Sequence, residues 1–122
     1  MMGCSGSGGK PGETRVTPVA TMADFNAVID NTSTEMLVMI DFYADWCAPC
    51  QQLSPIIDKL SVSHADRVAV YKVDVDRLSS VLERYGIRAI PLVMFFKNGQ
   101  LVRALPGLQP ESAYRDAIKS LS

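Results

Sequence analysis

The amino-acid sequence predicts an α/β fold, a three-layer α/β/α sandwich built on one mixed β-sheet. Strand-like apolar runs alternate with helix-like apolar repeats in the order β-α-β-α-β-α-β-β-α. Connections that pass through a helix predict parallel strands. The pair Asn98-Gly99 is the strongest short hairpin signal, so the last two strands are expected to be antiparallel.

The composition fits one globular domain and excludes several classes of protein. The chain has 122 residues, of which 48% are hydrophobic and 20% are charged. Twelve Lys and Arg stand against thirteen Asp and Glu, and a net charge of −1 leaves no basic excess for nucleic acid. No apolar run approaches the roughly 18 residues of a membrane span. Three cysteines are too few for an extracellular disulfide framework.

The N-terminal segment differs in composition from the rest of the chain. Residues 1–15 are rich in Gly and Ser and are expected to form a flexible tail, followed by a domain at residues 16–122. The segment has no apolar stretch of a secretory signal. A second interpretation is acylation, because residues 2–7 fit the N-myristoylation pattern if translation starts at Met2, which places Gly3 for the first acyl chain and Cys4 for the second. Only that modification would make a membrane a partner.

The first predicted strand and helix are short. Residues 16–19 are expected to form an edge strand, because Pro18 cannot donate to a central ladder. Thr21 and Asp24 have the spacing of a capping box, which predicts a helix from there to about Asn31.

The central strands and the helix between them have the clearest patterns. The near-continuous apolar run at 36–43 is typical of a strand buried on both faces, and the β-branched run at 68–75 predicts another strand. The segment 50–63 is predicted as a helix with one buried stripe, because its apolar residues recur at helical spacing: Leu53, Ile56, Ile57 and Leu60.

The last elements follow the same logic. Helical spacing predicts a third helix at 78–85, which Gly86 ends. Two strands at 92–97 and 100–105 flank the Asn-Gly turn, and helical spacing over 114–121 predicts a C-terminal helix.

Trp46-Cys47-Ala48-Pro49-Cys50 lies between the central strand and the amphipathic helix, and this position suits redox chemistry. Side chains three residues apart on a helix share a face at about 5–6 Å, so a modest adjustment joins the two sulfurs. Cys47 stands at the helix N-terminus, where free N–H groups favour a thiolate, and Pro49 fits the first turn. Cys50 lies one turn inside and is expected to be the more buried cysteine, with Cys47 exposed.

Two other interpretations of the cysteine pair are a zinc half-site and inert core thiols. A structural zinc site needs four Cys or His ligands. Only Cys4 and His64 remain as such ligands, and neither has a partner at ligand spacing, so no metal is expected. We expect His64 to be solvated.

These motifs resemble the thioredoxin family over about residues 16–122. The resemblance is carried by Val38–Cys50, Pro55, the strand with Lys72, Tyr85–Pro91, Phe96–Gly99 and Gly107. It implies a thioredoxin-like fold and dithiol–disulfide exchange on protein substrates, with Cys47 attacking and Cys50 resolving. Electrons would come from a thioredoxin-reductase-like donor, and no bound cofactor is expected. We also expect a monomer in the cytoplasm.

The resemblance further implies roles for residues around the cysteines. Asp41 would lie beneath the disulfide and relay a proton for Cys50, with its pKa raised by desolvation, and Lys72 would be its partner on the neighbouring strand. A surface carboxylate and a snorkelling lysine are the alternatives. Pro91 would be a cis-proline that packs against the two cysteines and excludes a metal ion from them. Pro55 would kink the helix and act structurally.

An apolar rim around Cys47 is expected to bind protein substrates: Trp46, Ala48, Ile90, Pro91, Gly107 and Leu108. The sequence departs from the usual family residues at Tyr43, Ala48, Leu92 and Pro106, which puts the choice of partner in question. An oxidase or isomerase is an alternative, although these relatives tend to place His between the cysteines. A non-catalytic module that binds proteins is the other alternative function.

Overall fold

The computed structural model describes residues 13–30 and 35–122. Within that part of the chain, the predicted order of elements is confirmed. The strands are β1 (Thr17–Pro18), β2 (Leu37–Tyr43), β3 (Val68–Asp74), β4 (Leu92–Lys97) and β5 (Gln100–Pro106). The helices are α1 (Met22–Ile29), α2 (Ala48–Ser63), α3 (Ser80–Tyr85) and α4 (Glu111–Leu121).

Several helices begin or end at other residues than predicted, and one predicted motif lies outside the described residues. Helix α1 ends at Ile29 and α3 begins at Ser80, so both are shorter than predicted, whereas α2 begins before Cys50, at Ala48. The acylation motif with Gly3 and Cys4, and most of the predicted tail, lie outside the described residues. The predicted boundary between residues 15 and 16 stays a prediction.

The sheet is mixed, with strand order β1-β3-β2-β4-β5. β3 runs parallel to both β1 and β2, while β4 is antiparallel to β2 and β5. The expectation that every helical connection joins parallel strands is therefore wrong for β3 and β4. Helix α3 does not carry the chain back to the other end of the sheet, because β4 is antiparallel to β2 and β2 is parallel to β3. The chain therefore re-enters the sheet from the end at which it left.

Local signals explain how individual elements begin and turn. Thr21 is the N-cap of α1, and its side chain accepts a hydrogen bond of 3.0 Å from the backbone N–H of Asp24. Asn98 and Gly99 both have positive φ, 53° and 81°, as a tight hairpin with the strand twist requires.

Two apolar layers cover the two faces of the sheet, so the predicted three-layer sandwich is confirmed. One cluster packs α1 and α3 against the sheet through residues such as Phe25, Ile29 and Val81. The other packs α2 and α4 against the opposite face, with Leu53 and Tyr114 among its members. In the described residues, no helix combines the length and apolar character needed to cross a bilayer.

Candidate active site

The two cysteines of the C-x-x-C motif form a disulfide at the start of α2. Cys47 and Cys50 are bonded through their sulfurs, and their Cα atoms lie 5.2 Å apart. The motif follows the carboxyl end of β2, so the disulfide stands at the end of the sheet where the central strand gives way to a helix. The redox interpretation of the pair is the one that the structure supports.

The N-terminus of α2 is directed at one sulfur. Cys47 is the N-cap residue, and its Sγ accepts a hydrogen bond of 3.2 Å from the backbone N–H of Cys50. Pro49 lies in the first turn, where its missing N–H leaves no donor unpaired. A thiolate on Cys47 gains from both the N–H group and the positive end of the helix dipole. The helix therefore favours Cys47 as the ionised sulfur after reduction.

The expected difference in burial between the cysteines is wrong for this disulfide-bonded form. Cys47 is 4% exposed and Cys50 is 3% exposed. The reason is a segment distant in sequence, because the carbonyl oxygen of Ile90 lies 3.8 Å from the Cys47 Sγ. The two sulfurs differ in their electrostatic surroundings rather than in overall exposure.

Asp41 is a buried carboxyl group in the central strand. The residue is 5% exposed, and its Oδ1 atom has no hydrogen-bond partner. Burial raises its pKa from 3.8 to about 7, because desolvation penalises the charged form, and the positive charge of Lys72 partly opposes that rise. The carboxyl group thus changes its protonation state near neutral pH.

Lys72 lies beside Asp41 without forming a contact ion pair. The two residues are register partners on β2 and β3. Among the ion pairs of the described residues, none joins them. The Lys72 Nζ instead lies 5.7 Å from the centroid of the Tyr43 ring, in cation–π contact. Lys72 therefore acts on Asp41 through space.

A cavity of about 450 Å³ connects these groups to the disulfide. We call it the inner cavity, and its lining residues are Asp41, Tyr43, Ala44, Asp45, Cys50, Gln51, Ser54 and Lys72. Cys50 faces this polar cavity together with Asp41. The arrangement gives Cys50 a nearby group able to take up a proton.

We call the side of the disulfide that the Ile90 carbonyl contacts its outer side, and the predicted rim residues Ile90, Pro91 and Gly107 are linked there. The Ile90–Pro91 peptide bond is cis, and Pro91 O accepts a hydrogen bond of 2.9 Å from the N–H of Gly107. This bond joins the loop that precedes β4 to the loop that follows β5. Trp46 and Leu108 are 71% and 41% exposed, so large apolar side chains stand in solvent here.

The other predicted residues lie in or next to α2, β4 and β5. Ala48 is exposed at the first position of α2, and Pro55 lies inside that helix. Leu92 and Pro106, two departures from the family pattern, are register partners at the ends of β4 and β5. They therefore alter one local patch next to the rim. His64 is the C-cap of α2 and is half-buried rather than solvated; burial lowers the pKa of its imidazole.

Sequence reasoning missed two residues that hold the outer side in place. Asp76 Oδ2 accepts a hydrogen bond of 2.8 Å from the Trp46 indole N–H, and this bond fixes the orientation of the exposed ring. The hydroxyl of Tyr114 bonds to the backbone of Gly107 and Gln109. Neither contact has a local sequence signal, since Asp76 resembles any acidic loop residue and Tyr114 fits the apolar stripe of a helix.

The described residues contain no group of three or more His, Cys, Asp or Glu side chains arranged to hold a metal ion. The chemistry that the site itself displays is that of the sulfur pair and the buried carboxyl group.

Comparison with known proteins gives a consistent answer. Residues 16–120 match the family model described as Thioredoxin. A thioredoxin of the fungus Malassezia sympodialis is 40% identical over 93 residues, 75% of this chain and 89% of that protein. The chloroplastic M-type thioredoxin of spinach is 41% identical over 86 residues, 70% of this chain but only 48% of that protein.

A solved structure supports the same assignment. Plasmodium falciparum thioredoxin superposes with a TM-score of 0.78 at 33% identity, covering 88% of this chain and 100% of that one. The disulfide at the start of α2 has the C-x-x-C spacing of a thioredoxin redox centre. The chain therefore belongs to the thioredoxin family and is a dithiol–disulfide oxidoreductase.

Proposed function

We propose that the chain works as a reductase of protein disulfides, with Cys47 as the attacking residue and Cys50 as the resolving residue. The observation that carries this assignment is the hydrogen bond from the Cys50 N–H to the Cys47 Sγ at the N-cap of α2. It gives one sulfur a stabilised thiolate, which is the nucleophile in disulfide exchange. Between the cysteines stand Ala48 and Pro49, without a histidine that would favour an oxidant.

The proposed reaction has two exchange steps. The Cys47 thiolate attacks a substrate disulfide, forming a mixed disulfide and releasing one substrate thiolate. Cys50 then gives up its proton and attacks the Cys47 sulfur. The Cys47–Cys50 disulfide forms and the second substrate thiolate leaves. The substrate gains two electrons that the enzyme dithiol loses, and a thioredoxin-reductase-like donor would restore the dithiol.

Asp41 would accept the proton from Cys50, and Lys72 would tune that carboxyl group. Support comes from the inner cavity, which Asp41, Lys72 and Cys50 line together, and from a pKa of about 7 for Asp41. A base whose pKa lies close to the working pH is the most effective proton acceptor.

The rim would bind the substrate. Its proposed members are Trp46, Ala48, Ile90, Pro91, Gly107 and Leu108. Support comes from the exposed apolar side chains of Trp46 and Leu108 beside the disulfide. An extended substrate would pair with the backbone before the cis-proline, while Pro49 and Pro55 would act structurally.

We further propose a monomer that works in a reducing compartment such as the cytoplasm, with no bound cofactor. The N-terminal acylation remains a proposal that rests on Gly3 and Cys4. Expression of the native gene in its own cell type should then give a chain with the mass of added acyl groups in the membrane fraction. An unmodified chain that begins at Met1 and stays out of that fraction would contradict acylation.

The reduction potential tests the proposed direction of the reaction. The protein is equilibrated with defined ratios of reduced and oxidised glutathione or dithiothreitol, and the fraction of Cys47–Cys50 disulfide is measured by alkylation and mass spectrometry. A reductase should have a potential at or below about −220 mV, the upper end of the cytosolic glutathione range. A potential near about −180 mV or above would instead indicate an oxidase or isomerase.

A further inference from the structure

A residue in the core of the molecule holds one part of the rim. Tyr114 of α4 is 0% exposed and belongs to the apolar cluster between the sheet and the α2/α4 layer. Its hydroxyl donates a hydrogen bond of 3.2 Å to the carbonyl of Gly107 and accepts one of 3.1 Å from the N–H of Gln109. The ring is fixed by packing, so the hydroxyl presents both bonds from a constant position.

The two residues that Tyr114 contacts stand on either side of Leu108. Leu108 is exposed, and its own position depends on the backbone of its neighbours. Gly107 has a φ of 74°, in the region that glycine enters freely, so this backbone has alternative conformations available. Two further bonds tie the segment to its surroundings: Gly107 N–H to Pro91 O at 2.9 Å, and the Gln109 side chain to Pro106 O at 2.6 Å.

We propose that Tyr114 is a positioning residue for substrate binding: its hydroxyl fixes residues 107–109 and thereby the place at which Leu108 meets a protein substrate. The proposal rests on the proposed reduction of protein disulfides and adds to it a specificity-determining residue outside the rim. Without the hydroxyl, the Gly107 carbonyl and the Gln109 N–H lose their bonds to Tyr114, and only the bonds to Pro91 and Pro106 still hold the segment. Leu108 is then held less firmly, and the additional ordering when substrate binds costs affinity.

The position of the hydroxyl separates this role from the redox chemistry. Tyr114 bonds to the backbone of residues 107–109, which we call the rim loop, whereas the Cys47 sulfur receives its hydrogen bond from the Cys50 N–H. Loss of the hydroxyl should therefore weaken the binding of a protein substrate and leave the exchange step unchanged. A small disulfide that reaches the sulfur without the rim should react as before.

The test compares Tyr114→Phe with Tyr71→Phe as the matched control. Tyr71 lies on β3, and its loss of one hydroxyl is the same chemical change on a strand remote from the rim loop. The reduced proteins are assayed with insulin and with a small aromatic disulfide. Tyr114→Phe should raise the KM for insulin about three- to tenfold, with kcat and the small-disulfide rate changed less than about twofold. Tyr71→Phe should change none of these values.

A double-mutant cycle with Leu108→Ala locates the effect. If Tyr114 acts through Leu108, the KM effect of Tyr114→Phe should shrink when Leu108 is already truncated. Additive effects would overturn that route. Equal losses with insulin and with the small disulfide would also overturn the proposal, because Tyr114 would then act on the cysteines or on the whole fold. An unchanged KM for insulin would show that the hydroxyl has no positioning role.

Hydrogen exchange tests the anchor without any activity measurement. The Gln109 amide proton is bonded to the Tyr114 hydroxyl, so Tyr114→Phe should speed its exchange while the amides within β2 keep their protection. Unchanged exchange at Gln109 would contradict the anchor. If wild-type protein itself fails to reduce insulin, the proposed function fails, whereas the exchange result still decides whether the anchor exists.

Discussion

The two sides of the disulfide differ in almost every physical property. On the inner side, a polar cavity brings Cys50 together with the buried Asp41 and Lys72. On the outer side, Trp46 and Leu108 present large apolar surfaces to solvent. Desolvation brings the pKa of a carboxyl group close to neutral pH, where it exchanges a proton readily, while exposed apolar area suits the capture of varied proteins. We therefore expect the inner side to govern rate and pH dependence and the outer side to govern substrate affinity.

Loss of either cysteine should have the largest effect. Cys47→Ser and Cys50→Ser should each abolish catalytic turnover with insulin and with a small disulfide, because a full cycle needs both sulfurs. Cys4→Ser is the matched control and should retain activity, measured by the same insulin assay. If either C-x-x-C variant turned over like the wild type, the sulfur pair would not be the reacting centre.

Removal of the inner carboxyl group should have the next largest effect. In the wild type, the exchange rate should rise with pH through about 7 as Asp41 ionises and becomes able to accept the Cys50 proton. Asp41→Asn should lack that step and be slower by about tenfold or more at pH 8, with the difference shrinking toward pH 5. Stopped-flow rates from pH 5 to pH 9 provide the measurement. Asp45→Asn, at the exposed part of the same cavity, should keep the wild-type profile.

The same substitution should raise stability at neutral and alkaline pH. A carboxyl group whose pKa is 3.8 when unfolded and about 7 when folded binds its proton more tightly in the fold. The protonated carboxyl group therefore supports the free energy of unfolding fully below about pH 4. On the order of 4 kcal/mol of that free energy is lost as pH rises to about 7. Urea unfolding of Asp41→Asn should show a smaller pH dependence across that window and a higher midpoint at pH 8. Equal midpoints at pH 8 would mean that Asp41 is not desolvated.

Substitution on the outer side should have the smallest effect, confined to protein substrates. Asp76→Ala removes the acceptor of the Trp46 indole N–H, and a freed ring should raise the KM for insulin about two- to fivefold. The small-disulfide rate should stay constant. Asp66→Ala, an exposed carboxylate away from Trp46, serves as the control. If Asp76→Ala slowed the reduction of insulin and of the small disulfide alike, the indole would also support the cysteines.

The sequence predicts the elements of this fold well, because they depend on local patterns. The buried strand, the helix after Cys47 and the Asn98-Gly99 hairpin each follow from a few neighbouring residues. The family resemblance and the apolar run around Asp41 together also predict the raised pKa of the Asp41 carboxyl group. The direction of β4 was mispredicted, since it depends on the end at which the chain re-enters the sheet after α3 rather than on any motif.

The parts of the site that escaped prediction depend on contacts distant in the chain. The carbonyl of Ile90, 43 residues beyond Cys47, lies against the Cys47 sulfur, and Cys47 is as buried as Cys50. Asp76 is 30 residues from the Trp46 indole that it binds. Tyr114 fits a helical apolar stripe, and only the position of the neighbouring loop shows that its hydroxyl is used. Such pairings arise from tertiary packing.

The most direct test of the account is the identity of the cysteine that forms the covalent intermediate. Each single Cys→Ser variant is reduced, mixed with a protein disulfide, quenched with acid and mapped by mass spectrometry. The helix N-terminus favours attack by Cys47, so Cys50→Ser should accumulate adducts through Cys47 that dithiothreitol releases. Cys47→Ser should form few or none. Adducts on Cys50 in Cys47→Ser, with none on Cys47 in the other variant, would contradict the assignment of the attacking sulfur.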